Sequence, residues 1–128
     1  MAVSAHPRIV PMAQPLRPGQ IDQPRPDRLV QGNPRRQTWP LYTSADGVTT
    51  AGIWACERGM WRIVFASNKE EYFFVLEGHV RLHDPHGQAV DVRAGEGAVI
   101  PAGFEGAFEV VQPVRKHFVV VERPSAGP

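Results

Sequence analysis

From Pro40 onward the chain is a series of short apolar runs rich in Val, Ile, Phe, Trp, Tyr and Thr, each broken by a turn signal. Runs of this kind, bounded by Gly, Pro, Asn and Asp, read as β-strands. The pattern predicts strands near residues 39–44, 49–56, 61–67, 71–77, 79–84, 88–93, 97–100, 106–111 and 115–122. Turns are expected at Asp46-Gly47, Arg58-Gly59, Gly78, Asp84 to Gly87, Ala94-Gly95 and Pro101 to Gly103. Between 88 and 93, Val90 and Val92 alternate with Asp91 and Arg93, the two-residue period of a strand with one covered face. Residues 60–77 also bring Trp61, Phe65, Tyr72 and Leu76 near one helical face, but Ser67 to Glu70 interrupt that face and both halves are aromatic and β-branched. Two strands joined by a polar loop is the better reading. Many short strands with few helices predict a sandwich or barrel.

The first 36 residues have no steady hydrophobic period and hold seven of the 13 prolines. They predict an extended, polyproline-like arm over residues 1–37, a barrel over 38–123 and a tail at 124–128. Ile9, Val10, Leu16, Leu29 and Val30 are candidate anchors of the arm against the domain. Pro and Gly together fill 25 of 128 positions, against roughly an eighth in average chains. That density excludes a helix bundle or long coiled coil, because Pro removes a helix donor and Gly lowers helix stability.

Charge changes the picture of the arm. Residues 1–36 carry six Arg against two Asp, and the remainder carries eight basic against eleven acidic residues. The arginines stand mostly singly among prolines, with no aromatic residue before Trp39, so no nucleic-acid partner is expected. The apolar runs fall far short of the ~20 residues of a membrane helix, and Pro7, Arg8 and Pro11 interrupt any signal core. The single cysteine, Cys56, rules out an intrachain disulfide framework and a Cys-x-x-Cys metal site. It suits a reducing compartment, and a cytoplasmic protein without a membrane partner is expected.

One spacing resembles a known family. Gly59, Glu71 and Gly78 keep the spacing of the first motif of the cupin superfamily, with Phe65 and Ser67 where its two histidines would stand. Gly95, Pro101 and Gly103 keep that of the second motif, with Gly106 in place of its histidine. The resemblance covers roughly residues 38–123 and implies an all-β cupin jelly-roll barrel, a double-stranded β-helix, with the proline-rich arm outside it. Gly52, Trp54, Cys56, Glu57 and Gly59, then 71–78, 95–106 and 114–116, resemble the cupin branch named for ureidoglycine aminohydrolase, with Glu96 for the usual Asp and Phe108 for the usual Trp. In metal-binding cupins three His and one Glu hold a divalent ion. Here only Glu71 remains of the four, so no metal or other cofactor is expected, with a divalent ion at Glu71 as the alternative. His79 and His83 are ~13 Å apart on a strand, too far to share an ion, and alternate outward with Val80 and Leu82. His83, Asp84 and His86 form a second, turn-borne metal candidate.

Strand parity assigns the barrel lining. If Glu71 points inward, so does Phe73; if Phe65 points inward, so does Trp61. With Trp54, Ser67 and Phe108 these residues predict a mainly aromatic cavity bearing one carboxylate and one hydroxyl, suited to a small, mostly apolar ligand. Glu71 is the candidate acid–base, with Lys116 or Arg62 as its possible partner, and Lys116 is the candidate group to orient an anion or carbonyl. Cys56 reads as a small buried hydrophobe. The leading expectation is a single-domain cupin of unassigned activity, a homodimer that binds a small molecule without metal. The alternatives are an aminohydrolase- or isomerase-like enzyme acting on a small nitrogenous or carbonyl compound through Glu71, and a structural or regulatory dimeric module with a filled barrel.

Overall fold

The structure, a computed structural model, describes residues 6–125; the outer ends of the expected arm and tail lie outside the described residues. Nine strands form one curled antiparallel sheet: β1 (Gln20–Asp22), β2 (Leu29–Gln31), β3 (Arg36–Thr43), β4 (Thr49–Cys56), β5 (Gly59–Val64), β6 (Lys69–His83), β7 (Ala89–Arg93), β8 (Gly97–Ile100) and β9 (Glu105–Glu122). A single 3-10 turn, Pro26–Arg28, is the one helical element among the described residues, and no helix is long and apolar enough to cross a membrane. The curled all-β sheet is the jelly-roll that the resemblance implies.

Two long strands organise it. The first half of β9 lies between β5 and the second half of β6, and its second half lies between β4 and the first half of β6. β8 and β7 complete the free edge of β6 in turn. The sequence reading splits each long strand in two, at Gly78 and near Pro113, because those residues normally end strands. Here they bend them. The β6–β9 register shifts between Val75 and Val80, Gly78 has φ of +91°, and a Cβ at 78 would stand 2.1 Å from the Pro113 carbonyl oxygen. Only glycine allows that crossing. The bend turns Val75, Val80, Phe108, Val110, Val114 and Phe118 onto one core with Trp61, Phe73, Leu82, Val92 and Ile100.

The expected arm is not wholly outside the fold. β1 pairs with β3, β2 pairs with β5, and β3 begins at Arg36, before Trp39. Upstream, hydrogen bonds tie residues 12–19 to the sheet: Trp39 Nε1 donates to the Arg17 carbonyl at 2.8 Å, His117 Nε2 lies 3.1 Å from the Met12 carbonyl, and Gly19 N donates to Gln37 Oε1 at 3.4 Å. The expected apolar anchors do not serve, since Ile9 and Leu16 are almost fully exposed and Val10 and Val30 largely so; Leu29 alone is half-buried.

On the outer face of β6, His79, Arg81 and His83 alternate with the core residues Val80 and Leu82, as expected. They form a ladder with strands on either side: His79–Asp91 at 2.6 Å, Arg81–Asp91 at 2.8 Å and His83–Glu109 at 2.8 Å. Hydrogen bonds from His79 and then Arg81 hold the Asp91 carboxyl below its ordinary range. A carboxyl with a depressed folded-state pKa contributes stability above its unfolded-state value, about 3.9, and loses it as the pH falls through the folded-state value. In chemical denaturation across an acid series, the stability difference between wild type and Asp91→Asn is expected to shrink below about pH 4. A pH-independent difference would show that the ladder does not hold the ionised carboxyl.

Candidate functional site

The inner face of the curl is not filled. A cavity of about 370 Å³ opens between β4, β5, the first half of β6 and the second half of β9, walled by Trp54, Trp61, Ile63, Phe65, Ile100, Phe108, Phe118 and Val120. Strand register explains the convergence. Trp54 is paired with Lys116 across β4 and β9, Lys116 with Val75 across β9 and β6, and Trp61 with Phe108 across β5 and β9. The aromatic rings pack against one another, Trp61 stacked on Phe108 at 5.3 Å and Trp54 edge-on to Phe108 at 5.7 Å. The filled barrel expected of a purely structural module is therefore not what these walls make.

The polar content of the cavity floor is one ion pair. Lys116 Nζ donates to Glu71 Oε2 at 2.8 Å, with the two side chains only 5% and 13% exposed. Three rings surround the same ammonium: Phe73, Trp54 and Phe108, with centroids 4.4, 4.5 and 4.9 Å from Nζ. An ammonium withdrawn from water needs compensation, and a carboxylate with three π-faces supplies it. An ammonium has three donors, and the hydrogen bond to Glu71 engages one of them.

Of the residues singled out from the sequence, Trp54, Trp61, Phe65, Glu71, Phe108 and Lys116 share this cavity wall. Phe73 is fully buried beneath the Lys116 ammonium instead of lining the wall, and Ser67 is exposed on the β5–β6 loop, outside it. Of the two partners weighed for Glu71, Lys116 is the one that meets it, and Arg62 stands at the rim. Cys56 is buried as expected, and burial pushes its thiol up to about 12, far from a nucleophile's range. The strand pattern missed the rest of the rim: Arg25 and Arg28, flanking and within the 3-10 turn, Arg36 on β3, and Lys69 at the start of β6. Six basic side chains and one carboxylate line the cavity. The arginine surplus before residue 37 was the visible signal, and three of its six arginines, Arg25, Arg28 and Arg36, stand at this mouth.

Residues 43–118 match the family described as the EutQ-like cupin domain. The chain belongs to that cupin family. No curated protein is significantly similar to it. Among solved structures it resembles a protein of unknown function of the DUF861 family from Pseudomonas syringae pv. tomato, at 20% identity and a TM-score of 0.74, over 88% of this chain and 46% of that one. The chain thus spans under half the length of that protein. It also resembles the EutQ protein of Clostridium difficile, at 24% identity and a TM-score of 0.62 over 75% and 76% of the two chains. The third is a putative ethanolamine utilization protein Q from Salmonella typhimurium, at 19% identity and a TM-score of 0.62 over 87% and 100%. At such identities these likenesses speak for the cupin fold alone.

The four positions where the cupin resemblance places metal ligands are differently occupied here. Of the four ligand positions, Glu71 is bound to Lys116, Phe65 offers no donor, and Ser67 lies outside the wall. A side chain at position 106 is blocked: a Cβ there would stand 2.0 Å from the His83 carbonyl oxygen. No group of three or more His, Cys, Asp or Glu able to hold an ion occurs among the described residues. That includes the candidate turn, where Asp84 accepts hydrogen bonds from the backbone of His86 and Gln88.

Removing one partner of the buried pair strands the other. Lys116→Met is expected to lower stability by about 3 kcal/mol or more, and adding Glu71→Leu to recover part of that loss. Urea denaturation of both variants measures this. A single variant as stable as wild type would show that the pair is not the balanced contact described.

Proposed function

We propose that this cupin binds a small organic molecule in its barrel cavity and does so without a metal ion. The observation that carries this reading is the Lys116–Glu71 pair, buried on the floor of an open, aromatic-walled cavity. An ammonium already held by the one retained ligand position is a permanent internal cation. Its free N–H groups would donate to a ligand oxygen where other cupins present a metal, while Trp54, Trp61 and Phe108 cover the apolar body. Tryptophan emission is expected to change saturably as small organic compounds are titrated in, and Val120→Phe, which narrows the cavity beside its cross-strand partner Glu71, to abolish the change. Elemental analysis of protein grown with added Mn, Fe, Ni and Zn is expected to find no stoichiometric metal. A bound ion, or equal binding by Val120→Phe, would overturn the reading.

The same pair favours a second reading, an enzyme acting on a small nitrogenous or carbonyl compound, as the resemblance to the ureidoglycine aminohydrolase branch suggests. Glu71 would exchange a proton with the bound compound while Lys116 orients its oxygen. Unchanged turnover of a discovered substrate in Glu71→Gln would remove this reading.

We also assign the protein to the cytoplasm, where a lone buried thiol suits the reducing conditions, and to a homodimer. Ile9 and Leu16 stand exposed on the segment that hydrogen bonds from Trp39 and His117 tie to the sheet, and a second copy would cover them. Sedimentation should give a dimer; a monomer from the full chain at micromolar concentration would remove that assignment.

A further inference from the structure

The cavity rim carries an imbalance that the floor does not. On the floor, Lys116 and Glu71 cancel. At the rim, Arg25 is neutralised by Asp27 at 2.8 Å and Arg36 by Asp22 at 2.7 Å. Arg28 and Arg62 have no acidic partner among the described residues, and the Lys69 ammonium rests only on the Phe65 ring, 4.9 Å from its centroid. Three uncompensated cations therefore surround one opening, while no carboxylate besides Glu71 lines the cavity. They come from three separate parts of the chain, the 3-10 turn, β5 and the start of β6, so the fold gathers them at one place.

We infer that the ligand of this barrel is an organic anion, a molecule with an apolar or aromatic body and a terminal carboxylate or phosphate. The body lies against Trp54, Trp61 and Phe108, and the anionic group lies at the rim between Arg28, Arg62 and Lys69. This rests on the proposed barrel-binding function and names the class of ligand that the site takes. Guanidinium groups suit either anion, because their planar donors meet two oxygens at once. Inside the mouth, Lys116 then has the role of hydrogen-bond donor to an oxygen deeper in the molecule. The rim also explains why the segment before β3 stays on the barrel: without the 3-10 turn, Arg28 would be absent and the anion would lose one of its three cations.

The test uses the full-length protein and tryptophan emission. Benzoate and phenyl phosphate are the anionic probes, and benzamide and benzyl alcohol are their neutral counterparts. Each anion is expected to bind at least about tenfold more tightly than its neutral counterpart, and to weaken as salt is raised. Arg28→Ala and Arg62→Ala, both at the rim, are each expected to weaken the anions about tenfold and to leave the neutral probes unchanged. A matching melting temperature in both variants shows that the fold is kept. The tighter of the two anions tells carboxylate from phosphate. Neutral probes that bind as well as anions, insensitive to both arginine variants, would overturn this inference while leaving the barrel-binding function standing. Binding of inorganic phosphate as tightly as phenyl phosphate would reduce the site to a bare anion site and overturn it too. A short single-stranded oligonucleotide that binds more tightly than either probe would assign the rim to a polymer instead. If neither anions nor neutral probes bind, both the inference and the function on which it rests fall.

Discussion

A buried ammonium must be balanced or the fold that holds it fails. Lys116 lies 4% exposed among three aromatic rings, and the only charge that answers it is Glu71. Everything around the cavity is compatible with that contact. β9 must present Lys116 inward beside Trp54, and β6 must present Glu71 inward four residues before Val75, the register partner of Lys116. The lysine side chain then runs across the face of Phe73 to reach the carboxylate. If either long strand slipped by one residue, its own charge would leave the core face and the other would be stranded there. The pair thus ties the alignment of the two longest strands to the chemistry of the cavity.

Much of this was legible in the sequence, and the parts that were not share a physical cause. Residues 49–56 and 97–100 are strands where the apolar runs said they would be, and the spacing of Gly59, Glu71, Gly78, Gly95, Pro101 and Gly103 pointed to a cupin. The candidates Trp54, Trp61, Phe65, Glu71 and Phe108 meet on one cavity wall, and Lys116, whose facing strand parity left open, joins them there. The failures fall where a residue's usual meaning depends on what lies across from it. Gly78 and Pro113 read as strand ends because nothing local tells a turn from a bend inside a paired strand. The motif spacing draws Ser67 to the rim, but β5 ends at Val64 and Ser67 lies exposed on the loop beyond it. The lysine–glutamate contact spans 45 positions, and only the pairing of β6 with β9 brings it together.

The basic segment before β3 misled for a related reason. Proline spacing described an arm, and an arm suggested something lying outside the barrel. The short strands β1 and β2 instead clip that segment to two edges of the sheet, and Arg25, Arg28 and Arg36 reach the cavity mouth. Local composition set the segment's extended conformation, whereas tertiary pairing set where its charges lie.

The glycine at position 106 carries a consequence for any redesign of this barrel. Its neighbour across the sheet, the carbonyl of His83, occupies the space that any side chain there would need. A histidine placed there would thus not supply a ligand; the end of β6 would first have to move away. Phe65 would have to change as well, and Glu71 to leave Lys116. Engineering an ion into this pocket therefore starts with the backbone of β6, and only then with side chains.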